Sequence, residues 1–237
     1  MKQLLPLEVN PSTGEPFLRI PYPGKNLIIT PPRLYDVDAV LVALNDSRIY
    51  TWMTGPPLPY QPEHGLAWLT EQMEEADKIL RHLEDPLTAE GPVKLALGCP
   101  VRIIRQVNED GTDTFLGYLG IYRSERKEIL DDKKRATIVA ENALKRVGDP
   151  SILWDIADWV IPERHSQGIM TAAISTLIDN WAVARLDTRY IQASVLEGNI
   201  ASRKVLEKVG FKLRRTTDTG EDTEGMLRRT QWFEWTR

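Results

Sequence analysis

Apolar and polar residues alternate along Tyr190-Ile-Gln-Ala-Ser-Val195, with Ile191, Ala193 and Val195 against Gln192 and Ser194, which predicts a strand. The period then changes, and Ser202, Val205, Leu206 and Val209 fall at helical spacing. Asn199 stands where an N-cap belongs, and Gly210 where a helix stops. Earlier in the chain, Asn26-Leu-Ile-Ile-Thr30 predicts a first strand, halted by Pro31-Pro32. A helix then starts near Asp36 with Val37, Val40, Leu41 and Leu44 as its buried stripe, and a second begins after Pro62 and runs through Leu66, Leu69 and Met73 toward Leu83. Residues 101–105 and 115–122 read as a hairpin across the turn-prone Asn108-Glu-Asp-Gly111. Two stretches resist this pattern. Residues 1–24 carry Pro6, Pro11, Pro16, Pro21 and Pro23 with Gly14 and Gly24, and read as an extension laid along a surface or left loose, ahead of a domain spanning 25–237. Residues 124–150 are charge-rich, with Ile138, Ala140, Ala143 and Leu144 pointing to a helix, and read as an insertion near the site whose cluster Lys133, Lys134 and Arg135 fits solvated charge.

The run Trp159-Val-Ile-Pro-Glu-Arg-His-Ser-Gln-Gly-Ile-Met-Thr171 reads as a strand that ends at a proline and enters a helix through a small glycine-containing loop. The first four N–H groups of a helix lack intrahelical partners and sit at the positive end of its dipole. A phosphate or pyrophosphate placed there is bonded and charge-stabilised at once. The same order also occurs where a chain merely changes direction, so the loop alone leaves both readings open.

Strand, phosphate turn, helix, strand, Asn-capped helix and a closing Gly210-Phe211 together resemble the GNAT superfamily of acyl-CoA-dependent N-acetyltransferases. The phrase Asn199-Ile-Ala-Ser-Arg-Lys-Val-Leu-Glu-Lys-Val-Gly-Phe211 is especially similar to the ribosomal-protein N-terminal acetyltransferase branch, and Thr30-Pro-Pro-Arg-Leu-Tyr-Asp-Val-Asp38 looks like the opening of that branch. The resemblance implies a single α/β (α+β) domain, its mixed, mostly antiparallel sheet splayed at the family's fourth and fifth strands and flanked by helices. It also implies acetyl-CoA as cofactor and direct transfer to a primary amine in a ternary complex. The family's pyrophosphate loop has the form (Arg or Gln)-x-x-Gly-x-(Gly or Ala). Here the matching positions are His165, Gly168 and Met170, with Ser166 in place of a frequent glycine, so only the middle glycine is kept. Backbone donors of Ser166, Gln167, Ile169 and Thr171 complete the implied phosphate site. By the same resemblance Val160 offers its backbone to the pantetheine arm or thioester carbonyl, while Asn199 and Ser202 face the other side of that arm. A plain cap for Asn199 and ordinary packing for Ser202 are the alternatives. The loop between the first two helices, with Tyr50, Trp52, Met53 and Tyr60, is implied to wall the acceptor site, Tyr50 and Trp52 being the candidate substrate contacts; filling the core under a loop is an equally common use of such aromatics.

Acetyl transfer to an amine requires an unprotonated nitrogen and stabilisation of the oxyanion that develops on the thioester carbon. An alkylamine is almost wholly ammonium at neutral pH, so a carboxylate whose pKa is raised by burial is the expected device. Asp155 and Asp158 interrupt the otherwise apolar run 152–160, where carboxylates are costly unless paired or functional. Asp155 falls where the branch often has a glutamate and is the first choice for the base, with Asp158 second. Their odd spacing places them on opposite faces of a regular strand, so at most one is expected to face the cleft unless a bulge intervenes. An ion pair with a nearby arginine is the rival role for either. Many relatives carry a tyrosine acid seven positions after the asparagine, where this chain has Leu206. That leaves Tyr50, Tyr122 or Ser166 to reprotonate the thiolate, or departure unaided, plausible for a thiol of pKa about 8.5.

Composition narrows the classes further. With 42% hydrophobic and 27% charged residues over 237 positions, usage is that of one globular domain. A net charge of -4 argues against nucleic-acid binding through a basic face. Cys99 is the only cysteine, which excludes an internal disulfide, and no Cys and His spacing points to a metal. No apolar run approaches a membrane span and the N-terminus lacks the run of a signal peptide, so a cytoplasmic location is expected. Neither G-x-G-x-x-G nor G-x-x-x-x-G-K-[ST] occurs, which removes a dinucleotide-binding domain and a nucleotide kinase. A small-molecule amine is the first acceptor, a protein N-terminal amine the second, and a non-catalytic acyl-CoA-binding sensor or scaffold the reading from another class. The aromatic Trp232-Phe-Glu-Trp235 edge offers a possible homodimer contact.

Overall fold

The computed structural model describes residues 2–85, 90–221 and 226–237. Its proline-rich start forms β1 (Glu8–Val9) and β2 (Pro16–Ile20), where Pro16 opens its strand and therefore removes no internal ladder bond. β2 pairs antiparallel with β3 (Asn26–Thr30), and Leu4, Leu7, Leu18 and Ile20 enter the main core. The Arg185 guanidinium donates to the carbonyls of Gln3 and Leu5. β1 and β2 thus form the outer edge of the sheet.

Three helices follow, α1 (Val37–Leu44), α2 (Ser47–Tyr50) and α3 (Pro62–Leu83). α1 is anchored by a buried ion pair in which Arg105 Nη2 lies 2.7 Å from Asp36 Oδ2, with Arg105 Nε donating to Thr30 Oγ1 at 2.7 Å. α3 buries Gly65, Leu69, Ala76, Ile79 and Leu83, while Leu66, expected in the stripe, faces solvent. The remaining elements are β4 (Ile103–Val107), β5 (Asp113–Arg123), α4 (Asp132–Leu144), β6 (Trp154–Val160), α5 (Ile169–Thr176), a π-helical segment (Leu177–Ala182), α6 (Val183–Leu186), β7 (Tyr190–Leu196), α7 (Ile200–Val209), β8 (Lys212–Glu221) and β9 (Leu227–Thr236). The insertion helix α4 is bolted to the start of β6 by Asn142, whose amide donates to Leu153 O at 2.8 Å and accepts from Leu153 N at 2.9 Å.

The strands form one sheet in the order β1-β2-β3-β4-β5-β6-β7-β9-β8, antiparallel at every pairing except β6 with β7. That one parallel pairing is short. It joins only Trp154 to Ile191 and Asp155 to Gln192, although β6 stays paired with β5 as far as Val160 and β7 with β9 as far as Leu196. Beyond Asp155 and Gln192 the two strands therefore diverge, each still held by its outer neighbour, and a wedge opens in the middle of the sheet. The main core, with Trp154, Ile156, Ile174 and Trp181, fills the face covered by α5, and a smaller one, with Val40, Tyr60, Tyr118 and Trp159, fills the face under α1 and α3. Among the described residues no helix is long and apolar enough to cross a membrane.

Candidate active site

A single turn of 3-10 helix, Pro162–Arg164, carries the chain out of β6, after which two residues take left-handed backbone, Ser166 at φ 59° and Gly168 at φ 78°. Glycine occupies that region without the penalty a Cβ brings, and Gly168 there N-caps α5. As a result the N–H groups of Ser166, Gln167, Gly168, Ile169, Met170 and Thr171 have no backbone partner among the described residues, and the first intrahelical bond is from Ala172 N to Gly168 O. A continuous run of donors thus lies at the positive end of a helix, the arrangement that binds an anion. Met170 is only 6% exposed, packing into the main core while also lining the cavity. His165 Nε2 sits 2.9 Å from the Val160 carbonyl, which caps that oxygen and steadies the loop against the strand end. Val160 itself lines the cavity. Gly117, facing Val160 across the ladder, is needed for a different reason: a Cβ there would collide with the Trp159 carbonyl oxygen.

The loop is braced from outside the segment. Tyr22 donates to Gln167 O at 2.5 Å, Lys25 Nζ lies 2.8 Å from Gln167 Oε1, and Gln167 Nε2 donates to Glu163 O at 3.0 Å. No periodicity in the sequence could have announced this contact between residues some 140 positions apart, and neither Tyr22 nor Lys25 was among the expected site residues.

A cavity of about 950 Å³ occupies the wedge. His165, Ser166, Gly168, Ile169 and Met170 line one end, and Asn199 and Ser202 line the side formed by α7. Asn199 caps that helix, its side chain accepting from Ser202 N at 3.1 Å, so the cap and a place in the cavity wall coexist. Leu206, at the position of the absent tyrosine, is buried and also borders the cavity. The far side is walled by Trp52, Met53, Tyr60, His64, Trp68 and Tyr118. Tyr50, expected beside them, is not among the residues lining the cavity, whereas Trp52 packs over Gly198 and under the Arg228 guanidinium.

Both strand carboxylates border the cavity, although they point to opposite faces of β6. No bulge in β6 is needed. The wedge removes the neighbouring strand from one edge, so a ligand space reaches either face. Their surroundings differ. Asp155 Oδ2 accepts from Glu125 N at 3.2 Å, and burial, opposed by the Ser124 hydroxyl and that N–H, raises its pKa to about 6. Asp158 has no hydrogen-bond or ion-pair partner among the described residues, and burial alone raises it to about 6. Asp158 is thus the carboxylate without a partner among the described residues. Tyr122, opposite Asp155 on β5, is pushed well above the ordinary phenol range by burial and by the adjacent carboxylate, and stays protonated on the cavity wall.

Comparison with known proteins adds the family. A family model described as an acetyltransferase (GNAT) domain matches residues 26–212. No curated protein matches the chain. Among solved structures, RimJ of Mycobacterium smegmatis, in complex with CoA-disulfide, superposes with a TM-score of 0.57 at 20% identity, covering 94% of this chain and 86% of that one. The ribosomal-protein-S5-alanine acetyltransferase of Vibrio fischeri superposes with a TM-score of 0.59 at 13% identity over 91% and 95% of the two chains. For yncA of Salmonella typhimurium, solved with its cofactor acetyl-CoA, the values are 0.52, 14%, 90% and 94%. At such identities the superpositions speak for the fold; the family match, spanning most of the chain, places the protein in the GNAT acetyltransferase family.

Proposed function

We propose that this GNAT acetyltransferase uses acetyl-CoA to acetylate the primary amine of a small molecule. One observation carries the reading: Ser166, Gly168, Ile169 and Met170, whose N–H groups have no backbone partner among the described residues, line the same cavity that the unpartnered Asp158 carboxylate borders. Acetyl-CoA, when bound, supplies the activated acetyl thioester. The loop donors would hold its pyrophosphate, and Asn199 and Ser202 lie on the wall along which the arm would run. That relatives of this fold are solved with CoA-disulfide and with acetyl-CoA supports the same cofactor.

Asp158 is assigned the proton of the incoming ammonium. A carboxylate with pKa near 6 is mostly ionised at neutral pH yet more basic than a surface aspartate, the compromise general-base catalysis favours. Asp155, with one oxygen held by the Ser124–Glu125 turn, positions rather than reacts. With Leu206 at the position of the absent tyrosine, the thiolate leaves unaided, as a thiol of pKa about 8.5 allows. The acceptor end closes on a floor of side chains, Tyr122, Asp155 and Gln192, which supports a small amine over a chain terminus that must pass through. Thiol release from acetyl-CoA, measured against a panel of small primary amines and short peptides with free N-termini, tests this. Turnover with small amines that is abolished in Asp158→Asn is the expected result; turnover only with peptides, or an Asp158→Asn enzyme of full activity, would refute it.

A further inference from the structure

The floor of the cavity carries more hydrogen-bonding capacity than the transfer reaction uses. Tyr122, Asp155, Gln192 and Glu234 lie side by side on one face of β5, β6, β7 and β9, since each is the register partner of the next. Most charges in and below this row are matched. Glu234 accepts from Tyr190 Oη at 2.6 Å and pairs with Arg214 at 2.8 Å, Glu128 pairs with Arg126 at 2.6 Å and Arg215 at 3.1 Å, and Lys127 pairs with Glu125 at 2.9 Å. Two acceptor atoms on the row are not: Asp155 Oδ1 and Gln192 Oε1 are both buried without a hydrogen-bond partner, and Gln192 is only 1% exposed. Buried acceptors left unpaired are costly, so this pair is arranged for a donor. Both residues line the cavity, with Tyr122 opposite Asp155 in the ladder and the rings of Tyr118, Trp68 and Trp232 among the other lining groups. A carboxylate and an amide oxygen inside aromatic walls form a receptor for an alkylammonium, which gains both hydrogen bonds and cation–π attraction.

The position of the pair separates it from the reacting amine. Asp155 and Gln192 form the last rung at which β6 and β7 remain paired, so the wedge is closed there, whereas Asp158 borders its open part three residues on, about 10 Å along the strand at roughly 3.3 Å per residue. Because the two carboxylates point to opposite faces of β6, an amine presented to Asp158 reaches the Asp155–Gln192 rung by running along the edge of β6 that β7 has left open. Resting on the amine-acetylation reading above, we infer that the acceptor is a diamine or similarly basic amine, whose second, protonated nitrogen is held by Asp155 Oδ1 and Gln192 Oε1 while its first is acetylated.

The test measures kcat/KM by thiol release for 1,4-diaminobutane and 1,5-diaminopentane against butylamine and pentylamine, using the full chain and the variants Gln192→Met and Gln192→Glu. The wild type is expected to favour diamines by at least tenfold. Gln192→Met, close to isosteric, should reduce that ratio toward one, with the loss in KM and little change in kcat; Gln192→Glu, which keeps an acceptor, should retain or raise the ratio. Equal use of diamines and monoamines by the wild type, or a Gln192→Met variant that lowers both by one factor, would overturn the inference while leaving amine acetylation in place. Absence of turnover with every amine, despite binding of acetyl-CoA, would overturn the amine-acetylation reading and this inference with it.

Discussion

The two ends of the cavity recognise their ligands by different means. At the loop end the groups on offer are backbone N–H donors from Ser166 to Thr171, placed by two left-handed residues and a helix start. At the floor they are side chains of β5, β6 and β7 that meet only because the strands are neighbours. Backbone donors survive replacement of the side chains around them. His165, Ser166 and Met170 all depart from the family's usual residues, yet the donors remain and Met170 turns into the core. The floor has no such tolerance, because removing the Asp155 carboxylate or the Gln192 amide removes the contact itself. On the proposed reading, recognition of the cofactor within this wedge would be carried by the path of the chain, and recognition of the acceptor by residue identity.

The sharpest way to break this division is Asp158→Asn. Loss of a positioned base costs about 10²–10⁴-fold, so kcat should fall at least 100-fold while affinity for acetyl-CoA, measured by calorimetry, stays within about twofold. The same substitution should stabilise the protein at high pH. The folded-state pKa of about 6 lies above the ordinary 3.8, so the folded state binds the proton more tightly than the unfolded one. Ionised Asp158 therefore opposes folding above pH 6, by about 2–3 kcal/mol, and the penalty fades as pH falls through 6 toward 4. Urea unfolding at pH 8 and pH 4 would show an Asp158→Asn advantage at the first and little at the second. For activity the sign is opposite: with the base needed ionised, kcat/KM of the wild type should rise with pH through about 6.

Arg105→Met tests whether the acceptor wall depends on its anchor. Removing one partner of a buried pair typically costs 3–5 kcal/mol, so a urea midpoint shift of that size is expected, together with a raised amine KM as α1 loosens. Gly168→Val attacks the loop end. A β-branched residue at φ 78° costs on the order of 1–2 kcal/mol, and affinity for acetyl-CoA should drop about tenfold with the amine KM little changed. Lys25→Met should have the smallest effect, a two- to fourfold loss of acetyl-CoA affinity with a shallower salt dependence, since Lys25 steadies Gln167 from a half-exposed position.

Legibility in the sequence followed the same division. α7, with its Asn199 cap and Gly210 stop, spans Ile200–Val209 as the spacing predicts, and β3 occupies Asn26–Thr30, because caps, prolines and periodicity are local signals. The left-handed Gly168 and the N–H run are local as well. What could not be read depends on distant partners. The proline-rich start looks irregular until β2 is paired with β3, and Tyr22 and Lys25 become site residues only when β2 packs beside α5. The faces of Asp155 and Asp158 were correctly opposed by strand periodicity. What periodicity misses is that β7 diverges after Gln192, so both faces reach one cavity, and that Ser124 and Glu125 occupy Asp155 while nothing among the described residues occupies Asp158. Gln192 carried a faint signal, a polar residue on the alternate face of an apolar strand, but its burial and its unpaired oxygen exist only in the folded sheet.

The account rests most directly on the backbone of residues 166–171 holding acetyl-CoA. Calorimetric titration of the full chain with acetyl-CoA, with NAD and ATP as controls, tests that claim. Saturable one-to-one binding of acetyl-CoA, weakened about tenfold in Gly168→Val and much weaker or absent for the controls, is the expected result; no heat of binding for acetyl-CoA, or equal binding of all three, would contradict it.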